Sequence, residues 1–198
     1  MLPGMQAQIM PGKRTKSQAM DETQPTQIRF HSRLAAQWAM FYETLGVPYA
    51  YRARPVELPG GAYTPDFWLP NQQAWVEICA TYPHAEDAAR AQALVAATGQ
   101  PVYFFCSEFR SPNSVWDDKI EGYKYDPSGA GQDYWWCECP VCGALGITYS
   151  GWSRELPCRC VWRVHIEYEK EYTYNSPRLE AAYNTVGALN VENLLVTQ

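Results

Sequence analysis

The sequence has no long apolar run. Nowhere in its 198 residues is there a stretch of the ~18 consecutive apolar residues that a membrane-spanning helix requires, so no membrane partner is expected. It also has no excess of basic charge. Lys and Arg number 16 against 21 Asp and Glu, giving a formal net charge of -5 and a pI near 5.2. That balance excludes a chain coated in cations for nucleic acid but permits a local basic patch. Histidine is scarce. His31, His84 and His165 are the only three, none is spaced from a cysteine as a catalytic pair, and each reads as a surface or capping residue. The first thirty residues hold no apolar core of signal-peptide length. Five of the seven cysteines crowd into Cys137–Cys160, which is not the spacing of a secreted disulfide framework. A cytoplasmic setting is expected, in a cell or in an infected host. Residues 1–26, rich in Gln, Thr, Pro and Gly, read as a mobile tail.

What is abundant is aromatic side chain, 14% of residues with 8 Trp and 14 Tyr, which can fill a core or serve an interface. Phe30, Leu34, Trp38, Phe41 and Leu45 recur at steps of three or four and predict a helix over 29–45, stopped by Gly46. Residues 47–58 alternate, with Tyr49 and Tyr51 opposed to Arg52 and Arg54, and predict a strand. Gly60-Gly61 predicts a hairpin turn into strands over 62–69 and 74–80. A helix over 86–98 closes at Gly99, and PVYFFC at 101–106 has the apolarity of an interior strand. Because the intervening helix can act as a crossover, Val76 and Tyr103 are expected on parallel strands. Residues 107–133 read as a connecting loop, 163–174 as a strand, and 177–189 as a helix capped by Ser176 with Pro177 in its first turn. The expected divisions are a tail (1–26), a core (27–133), a metal ribbon (134–162) and a terminal strand and helix (163–198).

Cys139-x-x-Cys142 is followed, with fifteen residues between Cys142 and Cys158, by Cys158-x-Cys160, and Gly143 directly follows the first pair. Two close pairs on tight turns supply four thiolates for a tetrahedral site, with backbone amides placed to hydrogen-bond sulfur. The spacing resembles a zinc ribbon, and Cys₄ ligation favours structural zinc. Gly146 and Gly151 suit a hairpin linking the knuckles. Cys137 leaves a choice open, because Cys137-x-Cys139 could provide the first pair. Since all four ligands come from protein, no position remains for a reactive water.

Two carboxylates fall on neighbouring predicted strands, Asp66 in TPDFWLP and Glu77 in WVEIC. Such a pair can converge on one Mg²⁺, with the Ile78 carbonyl able to complete the shell. Taken alone, Asp66 could equally be a turn carboxylate and Glu77 an exposed strand residue.

Residues 30–105, through FHSRLAAQWAMFYETLGVPYAYRARPVELPGGAYTPDFWLP, WVEIC and ATGQPVYFF, resemble the PD-(D/E)XK nuclease-fold domains of phage and mobile-element proteins. The resemblance implies an α/β, restriction-endonuclease-like mixed central sheet flanked by helices, with the Cys₄ ribbon as an appended unit. It places Asp66 and Glu77 at the catalytic, magnesium-binding positions and Cys79 where the family has its lysine. Ala35 stands where many relatives carry a helix glutamate. Loss of the lysine cation implies activity reduced by ~10²–10³, unless Arg52, Arg54, Arg90 or Lys119 replaces it. Two functions follow from this. One is a degenerate nuclease acting on or binding nucleic acid. The other is a non-catalytic module that binds a protein partner, such as an inhibitor or adaptor of a host machine. Cys79 and Cys106 read as small apolar packing groups, Trp135, Trp136 and Trp152 as packing more than base-stacking rings, and Glu167, Glu169 and Glu171 as a solvated acidic stripe.

Overall fold

The computed structural model describes residues 28–106, 108–112, 122–164 and 173–194. The first helix, α1 (Arg33–Leu45), starts where the Ser32 side chain accepts the Ala35 N–H at 3.0 Å and ends where Gly46 takes a left-handed φ of 69°. Its stripe of Trp38, Phe41, Tyr42 and Leu45 is buried as the periodicity predicts.

Strands between Ala50 and Gly131 build a mixed sheet. Its strands are β1 (Ala50–Tyr51), β4 (Phe67–Leu69), β5 (Ala74–Cys79), β6 (Val102–Cys106), β7 (Gly122–Asp126) and β8 (Gly129–Gly131), adjacent in that order. Val76 pairs with Tyr103 in the parallel β5–β6 ladder, and the other ladders are antiparallel. The crossover is α2 (Ala85–Thr98), which turns at Gly99 with φ 69°.

Two predicted strands are each split. Residues 47–58 break at Arg52, whose φ of 44° leaves the extended region, into β1 and β2 (Val56–Leu58). Residues 62–69 divide into β3 (Gly61–Tyr63) and β4 on either side of Pro65, which has no ladder donor. β2 and β3 form the hairpin expected at Gly60-Gly61. The predicted loop over 107–133 instead contributes β7 and β8. Their turn is held by the Asp126 carboxylate accepting the Ser128 N–H at 2.8 Å, and the glycines of β8 carry no hydropathy signal. Lys119 lies outside the described residues, as do the tail 1–26, most of the predicted strand 163–174, His165, and Glu167, Glu169 and Glu171.

Both sheet faces are covered. On one, α1 and α3 (Pro177–Gly187, capped by Ser176) pack against Phe67, Val76, Tyr103 and Phe105, with Trp38 stacked on Phe105 at 4.5 Å between centroids. On the other, α2 contributes Leu94 and Val95 against Trp75, Val102 and Phe104. Strand alternation therefore sends Val76 into the first core and Trp75 into the second.

A separate hairpin, β9 (Tyr134–Glu138) and β10 (Leu145–Tyr149), begins the cysteine segment. Trp136 is 1% exposed and packs on Phe41 and Tyr42, tying the hairpin to the first core. Gly146 is not in a turn. It lies within β10 opposite Cys137, where a Cβ would come within 2.5 Å of the Leu156 side chain. The turn of the hairpin is the first cysteine knuckle itself.

Candidate metal centre and carboxylate pair

Cys139, Cys142, Cys158 and Cys160 come together, with their sulfurs within 4.8 Å of one another. A metal with bonds of about 2.3 Å holds tetrahedral thiolates about 3.8 Å apart, so the cluster needs little contraction. Local backbone explains the placement. Gly143, at φ 71°, lets the chain double back so that its N–H reaches the Cys139 carbonyl at 2.9 Å, while the Cys139 N–H reaches the Ala144 carbonyl at 2.8 Å. The amides of Cys142 and Val141 point at the Cys139 sulfur, and that of Ala144 at the Cys142 sulfur. In the second knuckle Arg159 takes the left-handed position, φ 49°.

Hydrogen bonding among the thiols favours ionisation of Cys142 and opposes that of Cys139 and Cys160. Hydrogen bonding to Cys142 and the neighbouring sulfur charges push Cys160 up to about 12, while the Ala144 amide draws Cys142 down. A divalent cation removes that opposition by neutralising the sulfurs together. The donor set fits a structural metal. Cys137 is excluded, because its buried sulfur lies 3.0 Å from the Thr173 hydroxyl instead.

The second cluster lies where β4 and β5 begin to separate. Phe67 pairs with Val76, so Asp66 stands one residue beyond, across from Glu77. Both are buried, at 6% and 8% exposure. The Asp66 carboxylate accepts the Ile78 N–H at 2.9 Å, and the Asp66 N–H is directed at the Glu77 carboxylate. Burial and then the Asp66 charge push Glu77 up to about 8, against the Tyr63 hydroxyl and Arg90. Burial likewise raises Asp66, against the Ile78 amide, His31 and Arg52. Glu77 Oε1 is buried without a hydrogen-bond partner. A buried carboxylate oxygen left unsatisfied invites a proton, a water or a cation.

Two contributors, His31 and Tyr63, escaped the sequence reading. His31, expected only at the surface, has Nε2 3.5 Å from Asp66 Oδ1 and its other ring nitrogen against the Tyr51 hydroxyl. Tyr63 bonds Glu77, and Arg90 lies 5.1 Å over the Tyr63 ring. No local spacing announces these residues, because α1's lead-in, β1, the β2–β3 hairpin and α2 meet only in three dimensions. Of the suggested replacement cations, Arg52 acts on Asp66 and Arg90 on Glu77, while Arg54 lies over Trp75 at 5.9 Å.

Cys79 differs from expectation. It is neither isolated nor simply apolar filling: it is register-paired with Cys106 across the parallel β5–β6 ladder, Cα atoms 4.7 Å apart, and joined to it as a disulfide. Adjacent parallel strands bring such partners together from 27 residues apart, a separation that no cysteine motif encodes. Ala35, at the place of the absent helix glutamate, is fully buried.

Comparison with family models and with curated proteins finds no match to this chain. No helix among the described residues is long and apolar enough to cross a membrane.

Proposed function

We propose that this chain is a degenerate PD-(D/E)XK nuclease-superfamily protein that acts on or binds nucleic acid, with phosphodiester cleavage weakened or lost, and that its Cys₄ cluster holds structural zinc. The observation that carries the reading is Asp66 standing across from Glu77 where the β4–β5 ladder ends, both buried, with Glu77 Oε1 left without a hydrogen-bond partner. The order of helix, three antiparallel strands, crossover helix and parallel strand supports the same reading. Asp66 and Glu77 would hold a magnesium ion, which when bound polarises a phosphate and acidifies a water. The chain's own part is to orient the carboxylates. The Ile78 amide fixes Asp66, Tyr63 and the Asp66 amide fix one side of Glu77, and both core clusters hold the strands rigid.

The position of Cys79 argues for weakness. With its sulfur tied to Cys106, it offers phosphate no positive charge. The same observation favours the non-catalytic module as the second reading. Cleavage of supercoiled plasmid and of single strands with Mg²⁺ or Mn²⁺, by the native chain and by Asp66→Ala, tests the proposal. Weak nicking that Asp66→Ala abolishes supports it; nicking unaffected by that change contradicts it.

A further inference from the structure

The second cysteine knuckle carries a surface that metal binding does not use. Residues 154–163 contain three arginines and a tryptophan against a single acid, Glu155, in a chain of net charge -5. Trp162, at 63%, is the most exposed large apolar side chain among the described residues. Its ring is held in place: the indole N–H donates to the Arg154 carbonyl at 2.8 Å, and the Arg154 guanidinium lies 4.8 Å from the ring centroid. Arg159 and Arg163 are exposed, and neither side chain enters an ion pair among the described residues. A groove runs along Arg154, Glu155, Leu156, Pro157, Arg159 and Trp162. Its one carboxylate is already engaged, accepting the Tyr149 N–H at 3.0 Å.

We propose that this surface binds single-stranded nucleic acid, with a base stacked on Trp162 and the neighbouring phosphates met by Arg159 and Arg163. An exposed, oriented indole flanked by cations satisfies the two requirements of such binding, a π-face and a charged track. In a duplex the bases are already stacked and give the ring nothing to cover. An acidic polypeptide would engage the arginines but leave the indole unused. The surface is separate from the carboxylate pair and does not depend on cleavage.

The test is fluorescence anisotropy of a labelled thymidine oligonucleotide, about 15 nucleotides long, with the full metal-loaded chain. Trp162→Ala is expected to weaken binding by about 5- to 150-fold, the loss of one stacked base, and Trp162→Phe to keep most of it. Arg159→Ala and Arg163→Ala are each expected to reduce the slope of log affinity against log salt by about 0.7. Metal content, measured on every variant, separates lost contact from lost folding. Asp66→Ala is expected to bind like the native chain, so binding survives even where the nuclease reading fails. The proposal is overturned if the native chain does not bind the oligonucleotide at low salt. Equal binding by metal-loaded native, Trp162→Ala and Arg159→Ala chains overturns it too. So does displacement of the oligonucleotide by polyglutamate that is insensitive to Trp162→Ala, which would identify an acidic peptide site instead.

Discussion

The cysteine module and the carboxylate pair are the two places proposed to take a cation, yet they relate to the fold in opposite ways. The four cysteines lie in a segment whose own buried cluster is small, Cys137, Cys139, Leu156 and Val161. Asp66 and Glu77 lie on a sheet packed on both faces by extensive apolar layers. In the module, the proposed metal would be part of folding, because little apolar surface is buried to order the knuckles alone. At the sheet, the fold stands without a cation and bears the cost of two buried carboxylates. A site that the fold must tolerate rather than rely on is where function is to be sought.

Removing a cysteine ligand gives the largest expected effect. Cys142→Ser or Cys158→Ser should release the metal, from sites whose binding energy in small zinc modules is about 10 kcal/mol or more, and amide exchange should show the loop between the knuckles opening. If this segment keeps its protection without metal, the contrast between the two regions fails.

The next effect is on pH dependence. Glu77 in the folded chain titrates at about 8, whereas an unfolded glutamate titrates near ~4.3. A raised carboxyl contributes stability that is complete below the unfolded value and is lost as pH rises through the folded one. Metal-free stability at the sheet should therefore fall between about pH 4.3 and pH 8. Glu77→Gln should flatten that fall and stabilise the chain at pH 8 by up to a few kcal/mol, at about 1.4 kcal/mol per pH unit, as read from urea midpoints at pH 5 and pH 8. An unchanged slope in Glu77→Gln would show that the buried carboxyl does not bear the cost assigned to it.

A third change sharpens the comparison through activity. Cys79→Lys puts an ammonium beside Asp66 and Glu77 and frees Cys106. If the pocket is otherwise intact, plasmid nicking should rise by about 10²-fold, and Asp66→Ala should abolish the gain. Ala35→Glu tests the helix carboxylate, though Ala35 is wholly buried and the larger side chain must displace core neighbours. The smallest effect is expected from Cys137→Ser. It should keep the metal and cost about 1 kcal/mol, since its thiol lies outside the four-sulfur cluster and meets threonine hydroxyls and neighbouring backbone.

What was legible in the sequence was local. The Ser176 cap, the glycine stops at Gly46 and Gly99, and the CPVCG knuckle each depend on residues within one turn, whereas the Ser32 cap, which starts α1 four residues later than the periodicity suggests, was not read. The parallel run of the strands that hold Val76 and Tyr103 followed from a helix-length crossover; their register did not. What was missed depends on distant partners or on residues without a hydropathy signature. β8 is a three-residue glycine-rich strand that exists because β7 offers it an edge. The first predicted strand read as continuous because the alternation of side chains does not register the positive φ of Arg52, and the second because it does not register the missing ladder donor of Pro65. Cys79 finds Cys106 only through sheet register, and His31 reaches Asp66 only because the lead-in to α1 crosses the end of β4.

The central claim is that Asp66 and Glu77 form one cation site. Calorimetric titration of Mn²⁺ into the chain with its cysteine site already filled, at pH 7.5, measures this directly. The account predicts one additional Mn²⁺ per chain, proton release as Glu77 ionises, and loss of both in Asp66→Ala and Glu77→Gln. Absence of Mn²⁺ binding to the native chain, or binding that both substitutions leave unchanged, would contradict it.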